Sequence, residues 1–222
     1  KLTGEDVSRL VIDCGRYDAS ALLRGERGML SSCMSRAMAQ AEKEAEGGDI
    51  RRAELTLDRA CFEEMSELAG ATGNDFLIGY VALQIDAIDL RTLVRAQRMG
   101  ASAELLSTAL LPGGHIPAEQ LKTARGDRLA ELTRGSALSA AGELAAATLG
   151  GSGSLTAFER ACDDALVRYL QRARRTPFGP EVIVGYLSAK EAEFTAVRTI
   201  LSGKLAGLSA EDIRARLRLS YL

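Results

Sequence analysis

RTLVRAQRMGASAE, from Arg91 to Glu104, recurs 107 positions later as RTILSGKLAGLSAE, from Arg198 to Glu211. Six positions are identical: Arg91/Arg198, Thr92/Thr199, Gly100/Gly207, Ser102/Ser209, Ala103/Ala210 and Glu104/Glu211. Apolar positions exchange like for like, as at Leu93/Ile200 and Val94/Leu201. Upstream, Gly79-Tyr80 answers Gly185-Tyr186 at an offset of 106, and LDRAC (Leu57 to Cys61) answers FERAC (Phe158 to Cys162) at an offset of 101. A spacing near half of this 222-residue chain is too long for a solenoid unit, so it reads as a duplicated helical lobe whose copies pack on one another. The expected division is a helical lobe over 1–111 and a similar one over 112–222.

The apolar pattern between the repeats is helical throughout. Asn74-Asp75 caps the clearest helix, in which Phe76, Tyr80, Leu83, Ala87, Leu90 and Val94 form an unbroken stripe at spacings of four and three. One face of it is expected to be buried along its length, and the counterparts Val182, Tyr186, Val197 and Leu201 are expected to be buried likewise. Thr3-Gly4-Glu5-Asp6 opens a capped helix running to about Asp18; further helices are expected near 29–45 and 50–69, and a short one after Ser102. In the second half helices are expected near 117–133, 137–148 and 155–173, then from Pro180 to about Ser202, and last one capped by Ser209. Pro112-Gly113-Gly114 is a turn and the expected hinge or boundary between lobes. Because the offset grows by one between Tyr186 and Arg198, the later long helix is expected to absorb its extra residue in a π-bulge.

Composition supports an all-α fold. The chain has 46% hydrophobic residues, 5% aromatic, no Trp and four Pro. No apolar run is long enough to span a bilayer, and the opening residues lack a signal-peptide pattern, so a soluble protein, and a fragment or trimmed product of one, is expected. Cys14, Cys33, Cys61 and Cys162 show no CxxC spacing, which fits buried thiols in a reducing compartment better than disulfides. Net charge is −2, divided as 13 basic and 18 acidic groups over 1–110 and 15 basic and 12 acidic over 111–222. The acidic total and the shortage of aromatics argue against a nucleic-acid partner.

Reactive chemistry is thin. The one histidine, His115, reads as an exposed loop residue, so histidine metal clusters and histidine-based triads have nothing to build on. Asp163-Asp164 lacks the third carboxylate of a DDxxD motif, where Val167 stands, and reads as a solvated helix face. Gly150 to Ser154 (GGSGS) has no following Lys-Ser or Lys-Thr, and Gly203-Lys204 precedes Leu205, so neither is a phosphate loop; the first reads as a flexible linker. Arg168, Arg172, Arg174 and Arg175 form a basic patch that suits either a helix C-terminus or an acidic partner. No catalytic, metal-ligating or cofactor-binding residue is assigned.

The closing segment VIVGYLSAKEAEFTAVRTILSGKLAGLSAEDIRARLRLSYL (Val182 to Leu222) resembles the C-terminal signature of the central-stalk C subunit of archaeal and bacterial V-type ATPases, the d subunit of eukaryotes. The match lies in Tyr186, Leu187, Ala189, Lys190, Glu191, Gly203, Lys204, Gly207 and Leu208. QIDAIDLRTLVRA (Gln84 to Ala96) resembles a second family segment through Ile85, Asp86, Thr92, Leu93, Arg95 and Ala96, and Leu111 to Gly114 resembles its Pro-Gly-Gly turn. Asp89 and Thr195 depart from it, standing where the family often has Asn. The resemblance implies three related helical lobes arranged as a funnel, of which this chain holds the second and third. It implies a non-catalytic adaptor on the cytoplasmic face of the membrane, seated between the central shaft subunits and the proteolipid ring, during proton or sodium transport. The alternative from the residues alone is a helical ligand-binding protein or enzyme using the inter-lobe cleft.

Overall fold

The computed structural model describes residues 17–220. The capped helix expected from Thr3 lies outside them except at its end, where Asp18 instead caps a new helix, α1 (Ala19–Leu23), by accepting from the Ala21 amide. The remaining α-helices are α2 (Ser32–Glu46), α3 (Ile50–Thr72), α4 (Asp75–Arg98), α5 (Ala103–Ala109), α6 (Ala118–Thr123), α7 (Asp127–Thr133), α8 (Ser139–Leu149), α9 (Leu155–Gln171), α10 (Pro180–Leu205) and α11 (Ala210–Arg216). A 3-10 turn, Arg172–Arg175, follows α9. No strand occurs among the described residues, and the fold is all-α. The chain divides into two compact units between Glu64 and Met65, within α3.

The starts of the helices follow from their capping residues. Asn74, Ser102, Ser154 and Ser209 each accept from the amide three residues on, at 3.0, 3.2, 3.4 and 3.1 Å, satisfying a donor that the first helical turn leaves free. The single helix expected over 117–133 is two. Ala124 to Gly126 breaks it: Ala124 leaves helical geometry and Gly126 takes φ +49°, so α7 sets off anew.

In the first unit α2 lies along the start of α3. Glu44 takes hydrogen bonds from Gln40 and Thr56, which hold its carboxyl below the usual range, and Cys33 approaches the Ala60 carbonyl. The second unit carries the main core. Its centre is Leu83, Ala87, Leu90, Leu93 and Val94 of α4, closed over by Leu121, Leu129, Leu138, Ala141, Ala145, Phe158 and Cys162 from α6, α7, α8, α9 and the α7–α8 connection. Burying each large side chain of this set contributes about 1.5–3 kcal/mol. The stripe of α4 is buried at Leu83, Leu90 and Val94 and half-buried at Phe76 and Tyr80.

Two expectations fail on α10. Val182, Tyr186, Val197 and Leu201 are exposed, not buried: among the described residues no element covers that flank as α8 and α9 cover α4. Nor is there a π-bulge: α10 is α-helical from Pro180 to Leu205. With no core along that side to hold a stripe in phase, the extra residue simply rotates one half of the apolar face relative to the other.

Helices α7 and α8 meet at van der Waals contact through Gly142. A Cβ there would lie 1.8 Å from Thr133 Oγ1 and 3.0 Å from the Leu129 carbonyl oxygen, and Thr133 is fully buried. Gly142→Ala is therefore expected to destabilise by about 1–3 kcal/mol through overpacking, despite the better helix propensity of Ala. Denaturant unfolding measures it, and a gain in stability would contradict the packing described.

Candidate interaction surface

Helix α4 brings two carboxylates into the core, and both face the same loop. Asp89 is buried and accepts from the Leu111 amide at 2.9 Å; Asp86, also buried, accepts from the Ile116 amide at 2.9 Å, and its other oxygen lies 2.9 Å from His115 Nδ1. Spaced three apart, they sit on one side of the helix and clamp both ends of Leu111 to Ile116. Within the loop Gly113 takes φ +100°, and a Cβ on Gly114 would come 2.3 Å from Asp86 Oδ1. The Pro-Gly-Gly segment is thus a clamped turn and not the expected hinge. His115 keeps an exposed ring but is tied to Asp86 rather than free in its loop.

The pair Asp163-Asp164 is likewise not a solvated face. Asp163 joins Arg91 of α4 at 2.5 Å and Arg218 of the C-terminal segment, while Asp164, largely buried, accepts from the Leu219 amide at 2.7 Å. Adjacent carboxylates therefore tie α9 to α4 on one side and to the C-terminal segment on the other. Arg95–Glu159, and a hydrogen bond from the Tyr169 hydroxyl to the Phe76 carbonyl, complete the α4–α9 seam. GGSGS is a close turn: a Cβ on Gly153 would lie 2.5 Å from the Thr148 nitrogen, so the flexible-linker reading is corrected. Gly203 is the point where Ile213 of α11 touches α10. Arg172 stacks over Tyr169, while Arg174 and Arg175 stay exposed.

Beyond these structural roles, two features remain. An open groove of about 420 Å³ is lined by Leu144, Thr156, Ala157, Arg160, Asp164 and Arg168, where Arg160 and Asp164 pair at 3.5 Å and so largely spend their charges on one another. Among the described residues no three His, Cys, Asp or Glu side chains are gathered as a metal ion requires, and no helix is long and apolar enough to cross a membrane. The larger feature is the bare flank of α10: Ile183, Tyr186, Leu187, Phe194, Val197 and Leu201 are all exposed, Phe194 at 74%. Scattered apolar residues are ordinary on a surface, but a run of them along one helix marks contact with another protein or lipid.

The described residues are all-helical or loop, several of their buried polar groups are used in internal clamps, and one flank of α10 is open, a surface suited to association. Residues 1–216 match the profile of the ATP synthase (C/AC39) subunit, and the chain belongs to that family. Among its relatives, the C subunit of the V-type sodium ATPase of Enterococcus hirae is 24% identical over 227 residues, covering all of this chain and 69% of the relative. The C subunits of the A-type ATP synthases of Halorubrum lacusprofundi and Haloferax volcanii are 33% and 27% identical, over 78% and 96% of this chain and 51% and 65% of their own lengths. The chain thus spans about half to two-thirds of the relatives it matches.

Asp89 accepts the buried Leu111 amide, a task that a side-chain amide oxygen also serves. Asp89→Ala is expected to cost about 1–3 kcal/mol by leaving the Leu111 amide unpaired, and Asp89→Asn less than about 1 kcal/mol. Chemical denaturation of both variants checks the ordering; equal losses would contradict it.

Burial inside the α4–α9 seam pushes the Cys162 thiol up to about 11 from 9.0. The native state then holds this proton more tightly than the unfolded chain, so the associated stability is whole below pH 9 and is lost as pH rises through about 11. The stability difference between the unaltered protein and Cys162→Ala is therefore expected to shrink steadily over that window. A difference constant from pH 8 to 11 would show that the thiol is not held neutral by the fold.

Proposed function

We propose that this chain is a non-catalytic central-stalk adaptor of a V-type or A-type rotary ATPase, coupling the rotating shaft to the membrane proteolipid ring during proton or sodium transport. The family match over residues 1–216 carries the reading. In it, residues 1–111 and 112–222 are the second and third of three related lobes, and the protein lies peripherally on the cytoplasmic face of the membrane. Support comes from how the side chains are used: the carboxylates and arginines that converge in the second unit serve its own loop, seam and tail. A component that transmits torque needs stiffness between its contacts more than reactive groups, and the double clamp on the Leu111 to Ile116 loop supplies it locally.

Calorimetric titration of the purified protein against the shaft subcomplex of its own source tests the reading, with an ATP hydrolysis assay on the protein alone. Expected are saturable binding and no turnover. Binding should weaken as salt rises, since exposed charges are screened beyond about 10 Å at 0.1 M salt. It should also be weaker than binding by a relative that carries all three lobes, although affinity follows buried area only loosely. A protein that ignores the shaft, or turns over ATP by itself, is not this adaptor.

A further inference from the structure

The basic patch at the end of α9 is only partly used by the fold. Residues 165–180 include Arg168, Arg172, Arg174 and Arg175 but no lysine and no acidic residue. Arg168 and Arg172 suit the carbonyl end of the helix, and Arg172 lies 4.8 Å from the centre of the Tyr169 ring. Arg174 and Arg175 fall in the 3-10 turn beyond α9, and both are exposed. Two carboxylates stand near this corner, Glu181 on Asn74 and Asp75 close enough to act on Tyr169, against the four arginines, so the corner is net positive. After the arginines, Pro177, Phe178, Gly179 and Pro180 are exposed in a row, and Phe178 at 88% receives next to no cover from the described residues. Four consecutive exposed residues make a protrusion, not the wall of a groove. Its base is firm. At one end Ala173 is buried and its carbonyl accepts from the Thr176 amide at 3.0 Å; at the other, Asn74 donates to Glu181 at 2.8 Å. Pro177 and Pro180 fix φ on either side of Phe178.

We propose that the corner at 172–180 anchors the protein on the surface of an anionic bilayer, with Phe178 entering at the level of the headgroups and Arg174 and Arg175 taking lipid phosphates. Each half of the corner answers to one half of such a surface. A guanidinium group meets phosphate oxygens through two parallel hydrogen bonds, which an ammonium group does not match, and the corner uses arginine throughout. A protruding ring suits lipid because acyl chains close around it, whereas a protein partner has to bring a socket of the right shape. One apolar group binds a membrane only marginally, and so do a few charges; together they make a usable contact. The firm base means that little conformational freedom is lost on contact. The inference does not rest on the coupling role proposed above, since it names lipid and neither shaft nor ring.

Sedimentation of the purified protein with vesicles tests the proposal, using phosphatidylcholine mixed with phosphatidylglycerol beside phosphatidylcholine alone. Binding to the anionic vesicles only, weakening as salt rises, is expected. Phe178→Ala is expected to lower the partition coefficient about tenfold, and Arg174→Ala and Arg175→Ala about fivefold each. Every replaced side chain is exposed, so helical circular dichroism should not change. Phe178→Trp puts a single tryptophan into a sequence that has none. Its emission should shift to the blue on the anionic vesicles and be quenched by brominated lipid. Equal binding to both kinds of vesicle, binding to neither, or anionic binding that these variants leave intact overturns the proposal. A tryptophan shift given by polyglutamate and not by the vesicles overturns it in favour of an acidic protein partner. The vesicles contain no shaft or ring, so each of these results leaves the adaptor reading to its own titration.

Discussion

Burying Asp86 and Asp89 is the constraint on which the second unit depends. A carboxylate taken out of water costs several kcal/mol unless donors replace the lost solvation, and α4 carries two of them into its core three residues apart. The donors come from the Leu111 and Ile116 amides, so the chain after α5 must return to α4 and lie across it. That return in turn demands Gly113, for its positive φ, and Gly114, for lack of room beside Asp86. It also delivers Leu110, Ile116 and Leu121 to the apolar cluster around Leu90 and Val94. One pair of charges thereby decides a turn, a loop path and the top of the core.

The two long helices show how like sequences acquire unlike roles. Helix α4 is covered by α6, α7, α8 and α9, and its Arg91 and Arg95 are matched by Asp163 and Glu159 of α9. Helix α10 has the same periodicity, a comparable run of apolar side chains and one of the same arginines, and most of that surface is open. An uncovered helix of this kind is stable here because its other side rests on α9 and α11, with Gly203 allowing Ile213 to come close. Its apolar flank is left open to solvent.

Much of the fold could be read before any coordinates. The caps at Asn74, Ser102 and Ser209 were legible because their hydroxyl or amide oxygen needs only the next turn of chain. The α4 stripe was legible for the same reason: periodicity is local. Burial is not local, since it requires a neighbour, and that is why Val182, Tyr186, Val197 and Leu201 were misjudged from their likeness to α4. The break before α7 was missed because Gly126 is a single glycine inside a good helical pattern. Asp163 and Asp164 looked like a solvated pair because their partners are remote, Arg91 on α4 and the backbone of Leu219, 55 residues away. A signal did exist for the clamp: Asp86 falls on the stripe between Leu83 and Leu90, where an acidic residue has to be paired if the stripe is buried.

The central claim is that α10 is an interface helix and α4 a core helix, although the repeat makes them equivalent. Amide hydrogen exchange, compared between the isolated chain and the assembled complex, reads both helices in one experiment. The account predicts that amides of Pro180–Leu205 exchange at least about tenfold more slowly in the complex, while those of Asp75–Arg98, already buried, keep their rates. Equal exchange of α10 in the two states would contradict it.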